Sequence, residues 1–246
     1  MAKDLFSNQS ADYARYRPSY PADLFDYIIQ FTTSQQRAWD CATGNGQAAM
    51  ALAEYFEEVS ATDISARQLE KAIPHSKIKY SVSSEENSGF NDNSFDLVTV
   101  AQAYHWFNFE GFKKEVIRVL KPNGIIAVWV YSLVSTEDAV FNNLIIDFYT
   151  NVVGKYWDPE RKYVDHHYST IPFPFTELPS KEFSISTQWS LEDFTGYLNS
   201  WSSVQHYIKA NQKDPIKDFR VLLAGVWGKE EYKKFHFPVF LRIGHI

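Results

Sequence analysis

Cysteine is almost absent: Cys41 stands alone in 246 residues, which excludes an internal disulfide and fits a reducing compartment. Long apolar runs are missing as well. None approaches the roughly 20 residues that span a bilayer, and the opening Met1–Ser7 lacks the apolar core of a signal peptide. A cytoplasmic location with no membrane partner is therefore expected. A basic excess is also lacking: 24 Lys and Arg face 30 Asp and Glu, a formal net charge of -6. That argues against a protein-wide field for gripping nucleic acid. Neither a low-complexity tract nor an internal repeat occurs. What the chain does have is 45% hydrophobic and 17% aromatic residues, enough for one compact α/β domain over 1–246.

The pattern divides that domain into three parts. Residues 1–36 open with a polar, aromatic stretch containing Tyr13, Tyr16, Arg17 and Tyr20, followed by a helical pattern through Leu24, Phe25, Ile28 and Ile29. In 37–132, strand-like runs at Arg37–Ala42, Glu58–Asp63, Ile78–Ser83, Phe95–Ala103 and Gly124–Tyr131 alternate with helices at Gln47–Phe56, Ala66–Ile73 and Phe109–Leu120. Such alternation predicts a mostly parallel sheet with helices on both faces. Residues 133–246 predict helices over Phe141–Val153 and Leu191–Tyr207 and strands over Phe183–Gln188 and Phe235–Ile243, closing the sheet under a helical cap.

Chemistry concentrates at the strand ends. The first strand runs into Asp40-Cys41-Ala42-Thr43-Gly44-Asn45-Gly46, where glycines permit a sharp turn and let a ligand approach bare N–H groups. Asp63 follows Gly44 by 63 − 44 = 19 residues and ends the second strand, where a carboxylate can accept both hydroxyls of a ribose. Together they indicate an adenosine-type cofactor. Gly44-x-Gly46-x-x-Ala49 also satisfies the looser dinucleotide fingerprint, but Asp40 beside the turn would repel a pyrophosphate. A sulfonium and an ammonium suit that carboxylate better. Asp40 serving only to order the loop is the plainer alternative. If the first and fourth strands flank the point where strand order reverses, the loop Ala101-Gln102-Ala103-Tyr104-His105-Trp106-Phe107 shares the ligand.

These segments resemble the motifs of the class I S-adenosylmethionine-dependent methyltransferases. Asp40–Gly46 is similar to their first motif, Ala61–Ser65 to their acidic second-strand motif and Ser94–Phe107 to their fourth-strand motif. Arg118–Gly124 is similar to the turn into strand five. Tyr13–Pro21, His105-Trp106-Phe107, Ser200–Val204 and Phe237–Arg242 further resemble the group around trans-aconitate methyltransferase. The resemblance implies a Rossmann-like, seven-stranded sheet with an antiparallel last strand, S-adenosyl-L-methionine as donor and S-adenosyl-L-homocysteine as product. It implies Thr43, Gly44 and Gly46 under the methionine part with Asp40 near its ammonium, Asp63 on the ribose and Ile64 on the adenine face. It further implies Ser84 and Glu85 at the adenine amino edge, Ala101 and Gln102 beside the methionine, and Tyr13 and Arg17 at the donor carboxylate. Three departures stand out: Ala48 where a third glycine is frequent, Ser84 in place of an aspartate, and Asn123 in place of a glycine, which suits a positive-φ turn.

The expected reaction is methyl transfer to a small-molecule acceptor. His105 is either a base, a hydrogen-bond partner of that acceptor, or a residue that orders its loop. Trp106, Phe107, Tyr16 and Tyr20, with Trp157, Trp201 and Tyr207, are candidates for the acceptor pocket, although aromatics also fill cores. Arg17 has three readings: an acidic acceptor, the donor carboxylate, or a surface acid. A carboxylate acceptor needs no base. Asp165-His166-His167, on an extended segment, is read as solvated rather than metal-binding, and Cys41 is given no nucleophilic role. Tyr13–Pro21 is expected to close as a lid. The alternatives are a nicotinamide-dependent oxidoreductase, a catalytically silent S-adenosylmethionine-binding protein, and a methyltransferase acting on a macromolecule, where the missing basic surface disfavours RNA or DNA and leaves a protein acceptor open.

Overall fold

The computed structural model describes residues 16–246. Tyr13 and the first part of the expected lid lie outside them. A helix, α1 (Ala22–Ile29), leads into an alternation of β1 (Arg37–Cys41), α2 (Gln47–Leu52), β2 (Glu58–Asp63), α3 (Ala66–Leu69), β3 (Ile78–Val82), β4 (Phe95–Ala101), α4 (Phe109–Val119) and β5 (Leu120–Tyr131). The five strands are parallel in the order β3-β2-β1-β4-β5. Beyond β5 lies the antiparallel β8 (Lys233–His245), and β8 pairs with both β6 (Thr176–Glu177) and β7 (Glu182–Trp189). Among the described residues the sheet thus has eight strands. The one beyond the expected seven, β6, is only two residues long.

The central strands read as continuous apolar runs because helices cover both faces. Side chains alternate between two cores with the period of the pleat. On β5, Ile125, Ala127, Trp129 and Tyr131 face the core built on α1 and α2. Ile126, Val128 and Val130 face the one built on α4. Helix α4 buries Phe112, Val116 and Val119 at helical spacing, starts on the Asn108 cap and ends at Leu120. The turn that follows sets Asn123 at φ 62°, as its amide side chain permits.

After β5 come α5 (Ala139–Asp147), a π-helical turn Phe148–Val152, the short α6 (Arg161–Asp165), α7 (Leu191–Asn199), α8 (Ser202–Asn211) and α9 (Pro215–Trp227). The single helix expected over Leu191–Tyr207 is two. Ser200 Oγ donates back to Tyr197 O at 2.6 Å, Trp201 leaves the helical conformation at ψ 135°, and Gln205 Nε2 donates to the freed Asn199 carbonyl at 2.7 Å. The break turns Trp201 inward, where it is 3% exposed against Tyr149, Trp157 and Tyr197. Among the described residues no helix is long and apolar enough to cross a membrane.

Candidate active site

A cleft opens over the carboxyl ends of β1, β2 and β4, roofed by the helices that follow β5. Its floor is made of tightly bent backbone. After β1, Ala42, Gly44 and Gly46 have φ of 56°, 58° and 87°; after β4, Gln102 has φ 58°. Alanine and glutamine rarely occupy the left-handed region, and such strain is characteristic of ligand sites. The two bends sit on β1 and β4, the neighbours at which the strand order reverses. Gly46 has no room for more: an added Cβ would collide with the Tyr80 hydroxyl. Above Gly44 the space is open.

Asp63 fixes this floor. Its carboxylate accepts from Gly44 N and from Ser65 N, both at 2.8 Å, and lines the cleft. Ile64, Glu85, Ala101 and Gln102 line the same space. Glu85 is 6% exposed, and its carboxylate makes no hydrogen bond or ion pair among the described residues. The Gln102 side-chain amide is tied to the Tyr131 backbone at 3.2 and 3.0 Å, which leaves its main chain to face the cleft.

Four residues expected at the donor, Asp40, Thr43, Gly46 and Ser84, do not line the cleft. Asp40 has no exposed surface and does not line the cleft; it accepts from the hydroxyls of Thr43 and Thr99 and so orders the turn from below. Thr43, used up in that bond, is likewise buried. Ser84 is replaced at the cleft by its neighbour Ser83, whose buried Oγ has no partner among the described residues, while the Ser84 backbone bridges with that of Asn87. Burial pushes the Asp40 carboxyl up to about 6, against the pull of the two threonine hydroxyls. The folded state therefore holds the proton more tightly than the unfolded one. Stability is reduced as pH rises from 4 to 6, by about 3 kcal/mol for this group alone, and stays reduced above pH 6. In urea unfolding, the stability of Asp40→Asn relative to the parent is expected to rise across that window; a flat difference would remove the linkage.

The roof carries charge and aromatic rings. Arg17 donates to Tyr131 Oη at 2.5 Å and to the Ser200 carbonyl at 3.2 Å, its guanidinium 5.4 Å from the Tyr197 ring centre. Arg161 stacks 4.4 Å from the centre of Trp157 and 5.4 Å from that of Tyr149, and its Nε donates to Tyr149 Oη at 2.8 Å. Its two terminal nitrogens make no hydrogen bond among the described residues. His105 lines the cleft at 7% exposure beside Trp106, with Nδ1 2.8 Å from Tyr168 Oη. Burial, and secondarily Arg161, push its imidazolium down to about 3, so the ring is neutral at ordinary pH.

Trp106, Phe107, Trp157 and Trp201 line the cleft as expected, but Tyr16, Tyr20 and Tyr207 do not. Tyr16 lies against Gly196 of α7, Tyr20 packs edge-on against Trp129 at 5.5 Å, and Tyr207 packs on Tyr156. Each ring contributes to packing instead. His166 and His167 are exposed but sit at the end of α6 and the turn after it, not on an extended segment; His167 stacks on Phe240 at 3.9 Å. No group of side chains suited to a metal occurs among the described residues. The buried Cys41 thiol is pushed well up by its surroundings, which suits an inert packing role. Sequence reasoning missed Arg161 and Tyr168 because α6 is a single turn with no periodic signal; Asp158-Pro159 before it was the one available mark of a helix start.

Residues 39–128 match the family model described as a methyltransferase domain. A Dictyostelium discoideum protein named as a methyltransferase is 33% identical, over 97% of this chain and 93% of its own length. A Saccharomyces cerevisiae protein named as an S-adenosylmethionine-dependent methyltransferase is 25% identical over 84% of this chain and 83% of its own. A solved structure from Anaeromyxobacter dehalogenans, titled a type II methyltransferase, superimposes with a TM-score of 0.86 at 33% identity, covering 94% of this chain and 98% of that one.

Proposed function

We propose that this chain, which belongs to the S-adenosylmethionine-dependent methyltransferase family, delivers the methyl group to a small carboxylic acid. Its donor is S-adenosyl-L-methionine and its product S-adenosyl-L-homocysteine, so the nicotinamide reading falls. The cleft fits that donor. Gly44 has open space above it, Asp63 ends β2 with its carboxylate lining the cleft where ribose hydroxyls would lie, and the buried Glu85, without a hydrogen bond or ion pair among the described residues, suits an amino group. When bound, the donor supplies a methyl carbon already activated by its sulfonium. We assign Gly44, Asp63, Ile64, Glu85, Ala101 and Gln102 to holding it, with Arg17 at its carboxylate and Asp40, Thr43 and Gly46 shaping the turn beneath.

The single observation that carries the acceptor class is Arg161. Its guanidinium carbon lies 4.4 Å from the centre of Trp157, and neither terminal nitrogen makes a hydrogen bond among the described residues. A planar fork of donors matches a carboxylate in two parallel hydrogen bonds. His105 supports the same class: so weak a base has little power to strip a proton from an alcohol or an ammonium, whereas a carboxylate arrives ionised. Trp106 and Trp201 complete the wall, and the residues' task is to align the acceptor oxygen with the methyl. To test this, purified protein is supplied with the donor and a panel of small carboxylic acids, alcohols and amines. Release of S-adenosylhomocysteine with acids is expected; release with alcohols or amines alone would overturn the proposal.

A further inference from the structure

Tyr168 is fully buried, yet its backbone lies in the left-handed region, as does that of His167 before it, with φ of 59° and 54°. A large aromatic residue seldom takes that conformation, and two such residues in succession are held only where surrounding structure imposes them. Here the turn is clamped from both sides. Tyr168 N donates to Tyr163 O at 2.8 Å, and Arg242 Nη1 donates to the carbonyls of Tyr168 and Ile171 at 3.2 and 2.7 Å. The result of the strain is one polar contact, the 2.8 Å bond between Tyr168 Oη and His105 Nδ1.

An inventory of protons decides the direction of that bond. A neutral imidazole has one N–H and one bare nitrogen. The phenol keeps its proton, since burial pushes its ionisation up. Among the described residues His105 Nδ1 is the one acceptor that meets the hydroxyl; the backbone N–H groups of His105 and Tyr104 that bear on it can only donate, and with the side chain fully buried no solvent reaches it. If Nδ1 carried the proton, the phenolic hydrogen would be left buried without an acceptor, an unfavourable arrangement. The hydroxyl therefore donates to Nδ1, and the imidazole proton resides on Nε2. Among the described residues no carboxylate pairs with the ring; the charged group that most affects it is Arg161 of α6, which opposes protonation.

We infer that Tyr168 is a positioning residue that locks His105 as the Nε2–H tautomer, so that His105 directs a hydrogen-bond donor, not a base, at the acceptor. Beside the Arg161 fork, Nε2–H then selects an acceptor with a lone pair to offer. This specificity role rests on the carboxylic acid reading above, whereas the tautomer itself does not.

The test reads the tautomer directly, by nitrogen-15 correlation spectra of the histidine rings in labelled, full-length protein, with the His105 signals assigned by their loss in His105→Gln. The expected spectrum has His105 protonated at Nε2 and bare at Nδ1, unchanged from pH 5 to pH 8. Protonation at Nδ1, or titration within that range, would overturn the inference. Kinetics supply the second readout. His105→Ala is expected to lower kcat/KM for an accepted carboxylic acid by about 10- to 100-fold, the range of a hydrogen bond to a charged group. His105→Gln, whose amide N–H reaches to the position of Nε2, should recover most of that loss; a glutamine variant as poor as the alanine one would contradict the donor role. If no carboxylic acid is turned over, the proposed acceptor class fails while the spectrum still decides the tautomer.

Discussion

Arg161→Met is expected to raise KM for a carboxylic acid acceptor by roughly 30- to 100-fold, at unchanged affinity for S-adenosylhomocysteine. A hydrogen bond to a charged group is worth about 1.5–3 kcal/mol, and about 1.4 kcal/mol is tenfold. Methionine keeps an apolar stem against Trp157, so the change removes the fork together with the Nε contacts to Tyr149 and Asp165 and little of the packing. Tyr149 retains its bond to Asp165, which leaves the wall behind the cleft in place. Arg161→Lys separates charge from geometry: it keeps the cation and loses the two-pronged match, so an intermediate KM is expected. Steady-state kinetics with product titration as a control measure all of this. An unaltered KM in the methionine variant would move the acceptor to another wall.

Asp63→Ala should weaken S-adenosylhomocysteine binding by about 100-fold or more. Two effects add. The ribose hydroxyls lose their charged acceptor, a change of about 1.5–3 kcal/mol for each bond. The Gly44 and Ser65 N–H groups also lose the carboxylate that holds the two strand-end turns together. Asparagine is no benign control, since its amide nitrogen would face one of those N–H donors. Calorimetric titration of the folded variant gives the number, and affinity within a few-fold of the parent would remove Asp63 from the donor site.

The parallel core was legible because burial on both sides leaves strands no choice but apolar runs, so β2 was read to the residue and β1, β3 and β4 to within two. Gly44 and Asp63 were legible for a related reason: a tight turn and a strand end constrain letters as well as shape. Elsewhere the letters constrained less. Nothing in an alanine or a glutamine announces the left-handed bends at Ala42 and Gln102, which the sheet imposes from outside. The register of the β3 loop moved one residue, exchanging Ser84 for Ser83 at the cleft. Helix α9 did announce itself, since Asp214 caps it and Pro215 opens it, yet without a clean apolar stripe the signal went unread. Tyr16 and Tyr20 show the limit of composition: an aromatic ring near a site is as ready to fill a core as to meet a ligand.

The most direct measurement is calorimetric titration of the unaltered protein with S-adenosylhomocysteine, with a reduced nicotinamide dinucleotide as comparator. Saturable micromolar binding of the former at one site per chain, with no heat from the latter, is the result expected of a cleft built on Gly44, Asp63 and Glu85. Folded protein that binds only the dinucleotide, or neither compound, would contradict it.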